Sequence, residues 1–192
     1  GKGFSKPYCY HIDQFESLRP VFMKVMEYSR AMGLDMIQGD HEDAPGQLEL
    51  NWMYDDVLRN ADRLSTYRQI CAQVAREFNL IACFMTKPFM GVSASGCHTN
   101  MSLWTGGKNK LNKLGHKSIP AMDEVFTYVE GGKNTFMPDT KDVQLPGKIG
   151  LKAIGGVMKH LGALTAIGSS TVNSYRRLWD TGFWAPVYAD WG

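Results

Sequence analysis

The stretch HEDAPGQLEL, residues 41–50, decides the fold class of this chain together with the few residues that follow it. Pro45-Gly46 is a turn signal. From Leu48 to Tyr54 apolar and polar residues alternate, which is typical of a strand with one buried face. Leu34–Ile37, ahead of the turn, is predicted to be a short strand. The sequence therefore predicts a hairpin-like piece around the turn.

Helices are predicted on both sides of this piece. The first is expected to be capped at Asp13 or Ser17, to hold Pro20 in its first turn and to stop at Gly33. Its core-facing positions recur at helical spacing: Val21, Val25, Ser29 and Met32.

A longer second helix is predicted to begin after a cap at Asp55 or Asp56. Its buried stripe is expected to consist of Val57, Ala61, Leu64, Cys71, Val74 and Phe78. After it, the pattern predicts a buried strand over Leu80–Met85 and a loop rich in Pro, Gly and Ser over Thr86–Ser95. A second alternating strand is predicted over Cys97–Trp104.

The C-terminal half is less regular. Thr105–Gly147 is predicted to be a long surface excursion with one short element near Met122–Val129. Helical spacing returns over Gly150–Ile167, where Gly155-Gly156 suggests close approach to another element. A final strand is predicted near Ala185–Trp191. Strands and helices mixed in this way favour an α+β fold over a doubly wound α/β fold.

Composition excludes several classes of protein. The chain has 192 residues, 44% of them apolar, which suits one domain with a sizeable core. Its formal net charge of +2 argues against a nucleic-acid partner. The most apolar stretch, Ile149–Gly168, contains charged side chains, so no membrane association is expected. Four cysteines without a C-x-x-C pair indicate reduced thiols and a cytoplasmic location.

Two acidic residues flank the predicted turn. Glu42 and Glu49 could point into one cavity, where they would repel each other unless a proton or a cation lay between them. Carboxylate oxygens suit Mg²⁺ or Mn²⁺. The alternative is that both are ordinary solvated strand residues.

Two further polar stretches lie later in the chain. His98, Asn100 and Ser102 fall on one face of a predicted strand and could line a polar cleft, or His98 could be a satisfied core residue. Arg176-Arg177 could grip a carboxylate or a phosphate, or could be a solvated basic pair. Phosphate loops, nucleophile elbows and zinc motifs do not occur in the sequence.

Taken together, these stretches resemble the catalytic domain of the glutamine synthetase family. The resemblance is carried by HEDAPGQLEL, by MTKPF followed by SGCHTNMSLW, and by GGVMKHLGALTAIGSSTVNSYRRL ending in APVY. The motifs occur in the order of the family and at compatible spacing. The resemblance covers most of the chain apart from residues 105–147.

The resemblance implies a curved antiparallel sheet that lines an active-site funnel, with helices packed outside. Residues 1–192 would then be part of such a catalytic domain. The N-terminal β-grasp domain and the C-terminal end of the family would lie outside this chain. A homo-oligomer is also implied, a dodecamer of stacked hexameric rings.

The resemblance further implies roles for individual residues. Glu42 and Glu49 match metal ligands of one cation, and His98 matches a ligand of another, in a site that holds two to three Mg²⁺ or Mn²⁺ ions. The positions beside the nucleotide, with ATP as co-substrate, are Asn100 and Ser102.

Substrate positions follow from the same comparison of motifs. Arg177 matches the arginine that holds the carboxylate of glutamate and the phosphorylated intermediate. Ser93 and Ala94 stand where the family typically has Asn-Gly to hold the amino end of glutamate. Trp184 stands where glutamine synthetases carry a Glu that binds and deprotonates ammonium.

The resemblance therefore implies an ATP-dependent ligase that joins the γ-carboxylate of glutamate to a small amine through γ-glutamyl phosphate. An indole at position 184 offers an apolar wall and cation–π attraction, which suits methylammonium. The chain looks closest to the branch of the family that includes γ-glutamylmethylamide synthetase. The alternatives are a glutamine synthetase that uses ammonium and a non-catalytic structural relative.

Overall fold

The computed structural model describes residues 9–114, 124–139 and 146–178. The first half of this structure alternates two helices with one strand pair: α1 (Ile12–Ala31), β1 (Met36–His41), β2 (Leu48–Trp52) and α2 (Val57–Glu77). The strands that follow are short or lie in a hairpin: β3 (Trp104–Thr105), β4 (Lys108–Leu114), β5 (Glu124–Glu130) and β6 (Lys133–Asn134). Three helices come last: α3 (Lys148–Lys159), α4 (Leu161–Gly168) and α5 (Val172–Leu178).

The strands of the described residues form three antiparallel pairs, β1 with β2, β3 with β6, and β4 with β5. In the first pair Asp40 lies opposite Glu49 and His41 opposite Leu48, so the turn predicted at Pro45-Gly46 closes a hairpin. Since α1 packs against β1 and α2, the α+β class is confirmed.

The core lies between α1, α2 and the first hairpin. One cluster contains Phe22, Met26, Leu34 and Met36, with Leu48, Leu50 and Trp52 of β2 packed against it. A second contains Val25, Ile70 and Val74. Leu50 and Tyr67 contact both clusters, which makes them one continuous core. The alternation predicted from Leu48 onward is therefore confirmed through Trp52.

The first helix ends as predicted but begins differently. Gly33 follows it with a φ of 79°, a conformation that glycine adopts without strain. The helix starts after His11, however, so neither Asp13 nor Ser17 is its cap, and Pro20 lies inside it rather than in its first turn.

The second helix begins as predicted, with the side chain of Asp56 accepting a hydrogen bond from the backbone N–H of Arg59. The predicted stripe is wrong at three positions, since Val57 is 86% exposed and Ala61 and Phe78 are also exposed. Arg63 is buried instead, because its guanidinium pairs with Asp35 and Asp55 at 3.0 Å each and so compensates the loss of water.

Two predicted strands are not formed. Leu80–Met85 holds no strand, and Ile81 is 92% exposed. Residues 97–103 are exposed and also outside any strand, whereas Trp104 belongs to β3. Alternation can define the two faces of a strand, but a strand also needs a hydrogen-bonded neighbour. The described residues place no paired strand beside the first stretch, and they pair the second only at its end, where Leu103 accepts from the N–H of Thr135 and Trp104 lies opposite Asn134.

The last helices differ in detail from the prediction. The helix predicted over Gly150–Ile167 is divided at His160 into α3 and α4. Among the described residues nothing lies within 4 Å of a side chain built at Gly155 or Gly156, so the predicted close approach is not found there. The short element predicted near Met122–Val129 is confirmed by β5, and the strand predicted near Ala185–Trp191 lies outside the described residues. No helix in the described ranges is long and apolar enough to cross a membrane.

Candidate functional site

The carboxylates of Glu42 and Glu49 are brought together by the first hairpin. Glu49 lies on β2, and Glu42 is the residue immediately after β1. The backbone N–H of Glu42 donates to the carbonyl of Gln47 at 2.9 Å, and the N–H of Gln47 donates to the carbonyl of Ala44 at 2.9 Å. These bonds close the turn and hold both acids at its base.

The electrostatics of Glu42 reflect its burial and its neighbours Glu49 and Asp43. Burial raises the pKa of Glu42, and a hydrogen bond and charge repulsion from Glu49 raise the pKa further. The backbone N–H of Asp43, which donates to Glu42 Oε2 at 3.0 Å, acts in the opposite direction. Asn51 donates to Glu49 Oε1 at 3.2 Å. Both side chains are half-buried.

The loop at residues 86–95, predicted as a loop and confirmed as one, lies against this turn. The hydroxyl of Ser93 donates to the carboxylate of Asp43. The side-chain amide of Gln47 donates to the carbonyl of Ala94 at 3.1 Å and lies 3.4 Å from Ser95 Oγ. The two predicted substrate positions, Ser93 and Ala94, are therefore held beside the acidic turn.

Helix α5 contacts the other side of the same loop. Asn173 accepts from the backbone N–H of Lys87 and donates to the carbonyl of Lys87, both at 2.8 Å. Ser174 is buried, with its hydroxyl 3.4 Å from that of Thr86. Arg177 lies one helical turn beyond Asn173 and is half-buried, whereas Arg176 is exposed.

His98 and Arg177 meet at Gly96. A Cβ built on Gly96 would lie 3.0 Å from Nε2 of His98 and 3.6 Å from Nη2 of Arg177. The structure thus brings together two of the predicted residues that are far apart in the sequence. Any side chain at position 96 would contact both.

The remaining predicted site residues are either exposed or outside the described part of the chain. Asn100 and Ser102 are exposed, and the Ser102 hydroxyl accepts a hydrogen bond from the indole N–H of Trp104 at 3.1 Å. Trp184 lies outside the described residues. Two residues that shape the site, Gln47 and Asn173, were not predicted. Their roles depend on hydrogen bonds across 47 and 86 residues of sequence, which local patterns do not reveal.

A divalent cation fits the carboxylate pair. Two half-buried carboxylates that repel each other are relieved by a positive ion, and their oxygens are the ligands that Mg²⁺ and Mn²⁺ prefer. No cluster of three or more His, Cys, Asp and Glu side chains in the described part of the chain could hold a metal ion. An ion bound there would take only part of its coordination sphere from Glu42 and Glu49.

Comparison with known proteins identifies the family. The sequence profile of the glutamine synthetase catalytic domain matches residues 2–132 and 126–192. This chain belongs to the glutamine synthetase family.

Similar proteins include more than one kind of family member. The chain is 32% identical over 188 residues to a glutamine synthetase of Rhizobium meliloti (strain 1021), covering 95% of this chain and 38% of that protein. It is 31% identical over 197 residues to a glutamate–methylamine ligase of Methyloversatilis universalis, covering 100% of this chain and 39% of that protein. The chain thus spans less than two fifths of the length of these two relatives.

Solved structures show the same fold. A ligand-free structure described as GmaS superposes with a TM-score of 0.71 at 32% identity, covering 91% of this chain and 35% of that one. A glutamine synthetase of Plasmodium falciparum gives a TM-score of 0.68 at 28% identity, covering 85% of this chain and 26% of that one. The chain therefore has the fold of the glutamine synthetase catalytic domain.

Proposed function

We propose that this chain provides part of the active site of an ATP-dependent ligase that joins the γ-carboxylate of glutamate to a small amine. The observation that carries the proposal is the arrangement around loop 86–95. The Glu42–Glu49 pair lies on one side of the loop, and Arg177 of α5 lies beside His98 on the other. Membership of the family supports the same reaction class.

The chemistry requires positive charge between two anions. The γ-phosphoryl group of ATP is transferred to the γ-carboxylate of glutamate, which gives γ-glutamyl phosphate and ADP. The amine nitrogen then attacks the acyl carbon, phosphate leaves, and the nitrogen loses a proton. Because the first step brings a carboxylate to a polyphosphate, groups that neutralise both are needed.

The residues of this chain divide into metal-binding and substrate-binding groups in the proposal. Glu42 and Glu49 hold one Mg²⁺ or Mn²⁺ ion and His98 holds another, and these ions would neutralise phosphate charge. Arg177 holds the carboxylate of glutamate and the phosphorylated intermediate through its fork of N–H donors.

The remaining positions complete the substrate contacts. Asn100 and Ser102 lie beside the nucleotide, and a structure described as a GmaS/ADP complex, with a TM-score of 0.68, supports nucleotide binding at this fold. Ser93 and Ala94 contact the amino end of glutamate. With these contacts the loop borders both the acidic turn and the substrate. The working protein is proposed to be a homo-oligomer, a dodecamer of stacked hexameric rings.

Methylamine is the amine that we favour. Trp184 would give the amine site an apolar wall and a cation–π contact, worth about 0.5–2 kcal/mol, that a methylammonium ion uses better than ammonium does. The similarity to a glutamate–methylamine ligase supports this choice. The glutamine synthetases among the relatives support ammonium as the second candidate.

Phosphate release with a panel of amines tests the proposal on the full polypeptide that carries this chain. We expect a higher kcat/KM for methylamine than for ammonium. Trp184→Glu should move this ratio toward ammonium by about 10-fold or more, since a carboxylate favours the smaller ion, while Trp184→Phe keeps an aromatic wall and serves as the control. A preference for ammonium would support the glutamine synthetase alternative.

Nucleotide binding separates an enzyme from a structural relative. Calorimetry should show ATP binding that depends on Mg²⁺ or Mn²⁺ and is lost in Glu42→Gln. A protein that neither binds ATP in the presence of metal nor releases phosphate with any amine would be a non-catalytic family member.

A further inference from the structure

Loop 86–95 is fixed from both sides by side-chain amides. On the hairpin side, Gln47 Oε1 accepts from the backbone N–H of Ala44 at 3.0 Å, within its own turn. Its Nε2 donates to the carbonyl of Ala94 at 3.1 Å and lies 3.4 Å from Ser95 Oγ. Since Gln47 stands between Glu42 and Glu49 in the sequence, its side chain links the turn that carries both acids to the loop.

On the helix side, Asn173 makes a matched pair of bonds. Its Oδ1 accepts from the N–H of Lys87, and its Nδ2 donates to the carbonyl of Lys87, both at 2.8 Å. Because both backbone groups of Lys87 are bonded to one side chain, the orientation of the loop relative to α5 is fixed as well as its distance. Arg177 is four residues further along α5, on the same side of the helix as Asn173.

The loop between these two contacts is braced internally. The backbone N–H of Ser95 donates to the carbonyl of Thr86 at 2.8 Å, which closes the base of the loop. Lys87 is only 3% exposed, and its ammonium group donates across the loop to the carbonyl of Val92 at 2.5 Å. The contacts of Gln47 at Ala94 and of Asn173 at Lys87 are therefore joined by the hydrogen bond at the base of the loop.

We infer that Gln47 and Asn173 are positioning residues that set, through loop 86–95, the distance between the Glu42–Glu49 pair and the Arg177–His98 pair. This inference rests on the proposed function for the roles of those two pairs. Both amides are occupied by contacts to backbone and side-chain groups of the chain. Their contribution is therefore to the relative placement of two groups that must act on the same phosphoryl transfer.

The first test is the steady-state kinetics of Gln47→Ala and Asn173→Ala in the full polypeptide. Each should lower kcat by about 10- to 100-fold, because small misplacements of reacting groups have effects of this size. The KM for ATP and for glutamate should change by less than about 3-fold, because each half of the site keeps its own binding groups. The matched controls are the exposed amides Gln38→Ala on β1 and Gln73→Ala on α2, which should retain full activity.

The double variant gives a sharper result. If both amides act through one loop, the loss of either contact already uncouples the two halves of the site. The kcat of the double variant should therefore lie within about 3-fold of the kcat of the slower single variant. Losses in kcat that multiply would mean two independent structural contacts and would overturn the inference. A rise in KM with kcat unchanged would overturn it as well.

Amide hydrogen exchange tests the same links without any assay of activity. In Gln47→Ala and Asn173→Ala, the peptides that cover residues 86–98 and 172–178 should exchange faster, while those of α1 and α2 keep the wild-type rate. If the wild type lacks ligase activity, the proposed function fails, and the exchange result still decides whether the amides couple the turn to the helix. Unchanged exchange rates at residues 86–98 in both variants would show that the two amides do not couple the turn to the helix.

Discussion

Glu42 lies in an environment that disfavours its ionised form. It is half-buried, and it faces the carboxylate of Glu49 from the other side of the turn. The pKa of Glu42 is raised for both reasons, burial first. A carboxylic acid whose pKa is raised in the folded protein lowers the free energy of unfolding when it is ionised. This loss of stability is complete only at pH values above the raised pKa. It disappears as the pH falls from there to the ordinary value of 4.5.

We therefore expect Glu42→Gln to raise the melting temperature of the metal-free protein at pH 7. The gain should shrink as the pH falls toward 4.5, since protonation removes the same repulsion in the wild type. Added Mn²⁺ should stabilise the wild type and leave the variant unchanged, because the variant has lost a ligand. Thermal unfolding with and without Mn²⁺ measures both effects.

The control for this substitution is Glu27→Gln on α1. Glu27 forms an exposed ion pair with Lys24 at 3.2 Å, and a pair of that kind contributes little. The melting temperature of the Glu27→Gln variant should equal that of the wild type both at pH 7 and near pH 4.5, and it should still rise with Mn²⁺. A metal-free Glu42→Gln protein that melts below the wild type at pH 7 would show that the repulsion is not the dominant effect.

At the scale of secondary structure elements, Gly39 sets how closely α1 approaches the hairpin. A side chain at this position would overlap the ring of Phe22 and would lie 2.7 Å from the backbone carbonyl of Glu49. Phe22 is a core residue of α1, and Gly39 pairs with Leu50 in the ladder. The helix and both strands therefore pack at a distance that only glycine allows.

Gly39→Ala should destabilise the protein by about 1–3 kcal/mol, as overpacked core positions do. Urea unfolding measures the change. Gly155→Ala on α3 is the matched control, because its added methyl group meets nothing within 4 Å and alanine is the better helix former by about 1 kcal/mol. Equal stability changes in the two variants would contradict the packing argument.

Sequence patterns predicted the elements that depend on short-range order. The cap at Asp56, the end of α1 at Gly33 and the hairpin turn at Pro45-Gly46 each depend on a few adjacent residues. The strand over Leu80–Met85 was predicted from local composition, but its existence depends on a neighbour distant in the sequence. Caps and turns can therefore be predicted from adjacent residues, whereas strand pairing cannot.

The same distinction holds for the site. Glu42 and Glu49 could be placed together from the sequence, because they flank one turn. The proximity of His98 to Arg177 could not, since it depends on how α5 docks on the loop. The resemblance to the family implied a role for each residue but not that they are neighbours. Gln47 lay inside a quoted motif, yet its contact with Ala94 requires coordinates.

At the scale of the whole molecule, burial is distributed unevenly. Helices α1 and α2 each contribute four buried residues to or beside the core. In α3 only Gly150 is buried, and in α4 no residue is buried. Large apolar side chains of these two helices, such as Met158, Leu161 and Ile167, are exposed. A short helix with little tertiary packing is marginal in water, so we expect α4 to be the less stable part of the chain.

Hydrogen exchange of this 192-residue chain should therefore separate the helices. Amides of α1 and α2 should exchange at least about 100-fold more slowly than those of α4, because packed helices open only with most of the domain whereas an unpacked one opens locally. Mass spectrometry of peptides over residues 12–31, 57–77 and 161–168 makes the comparison within one sample. The control is the same experiment in the full polypeptide. Equal protection of α4 and α1 in the 192-residue chain would mean that the exposed face of α4 is covered in solution, and the uneven distribution of stability would then be wrong.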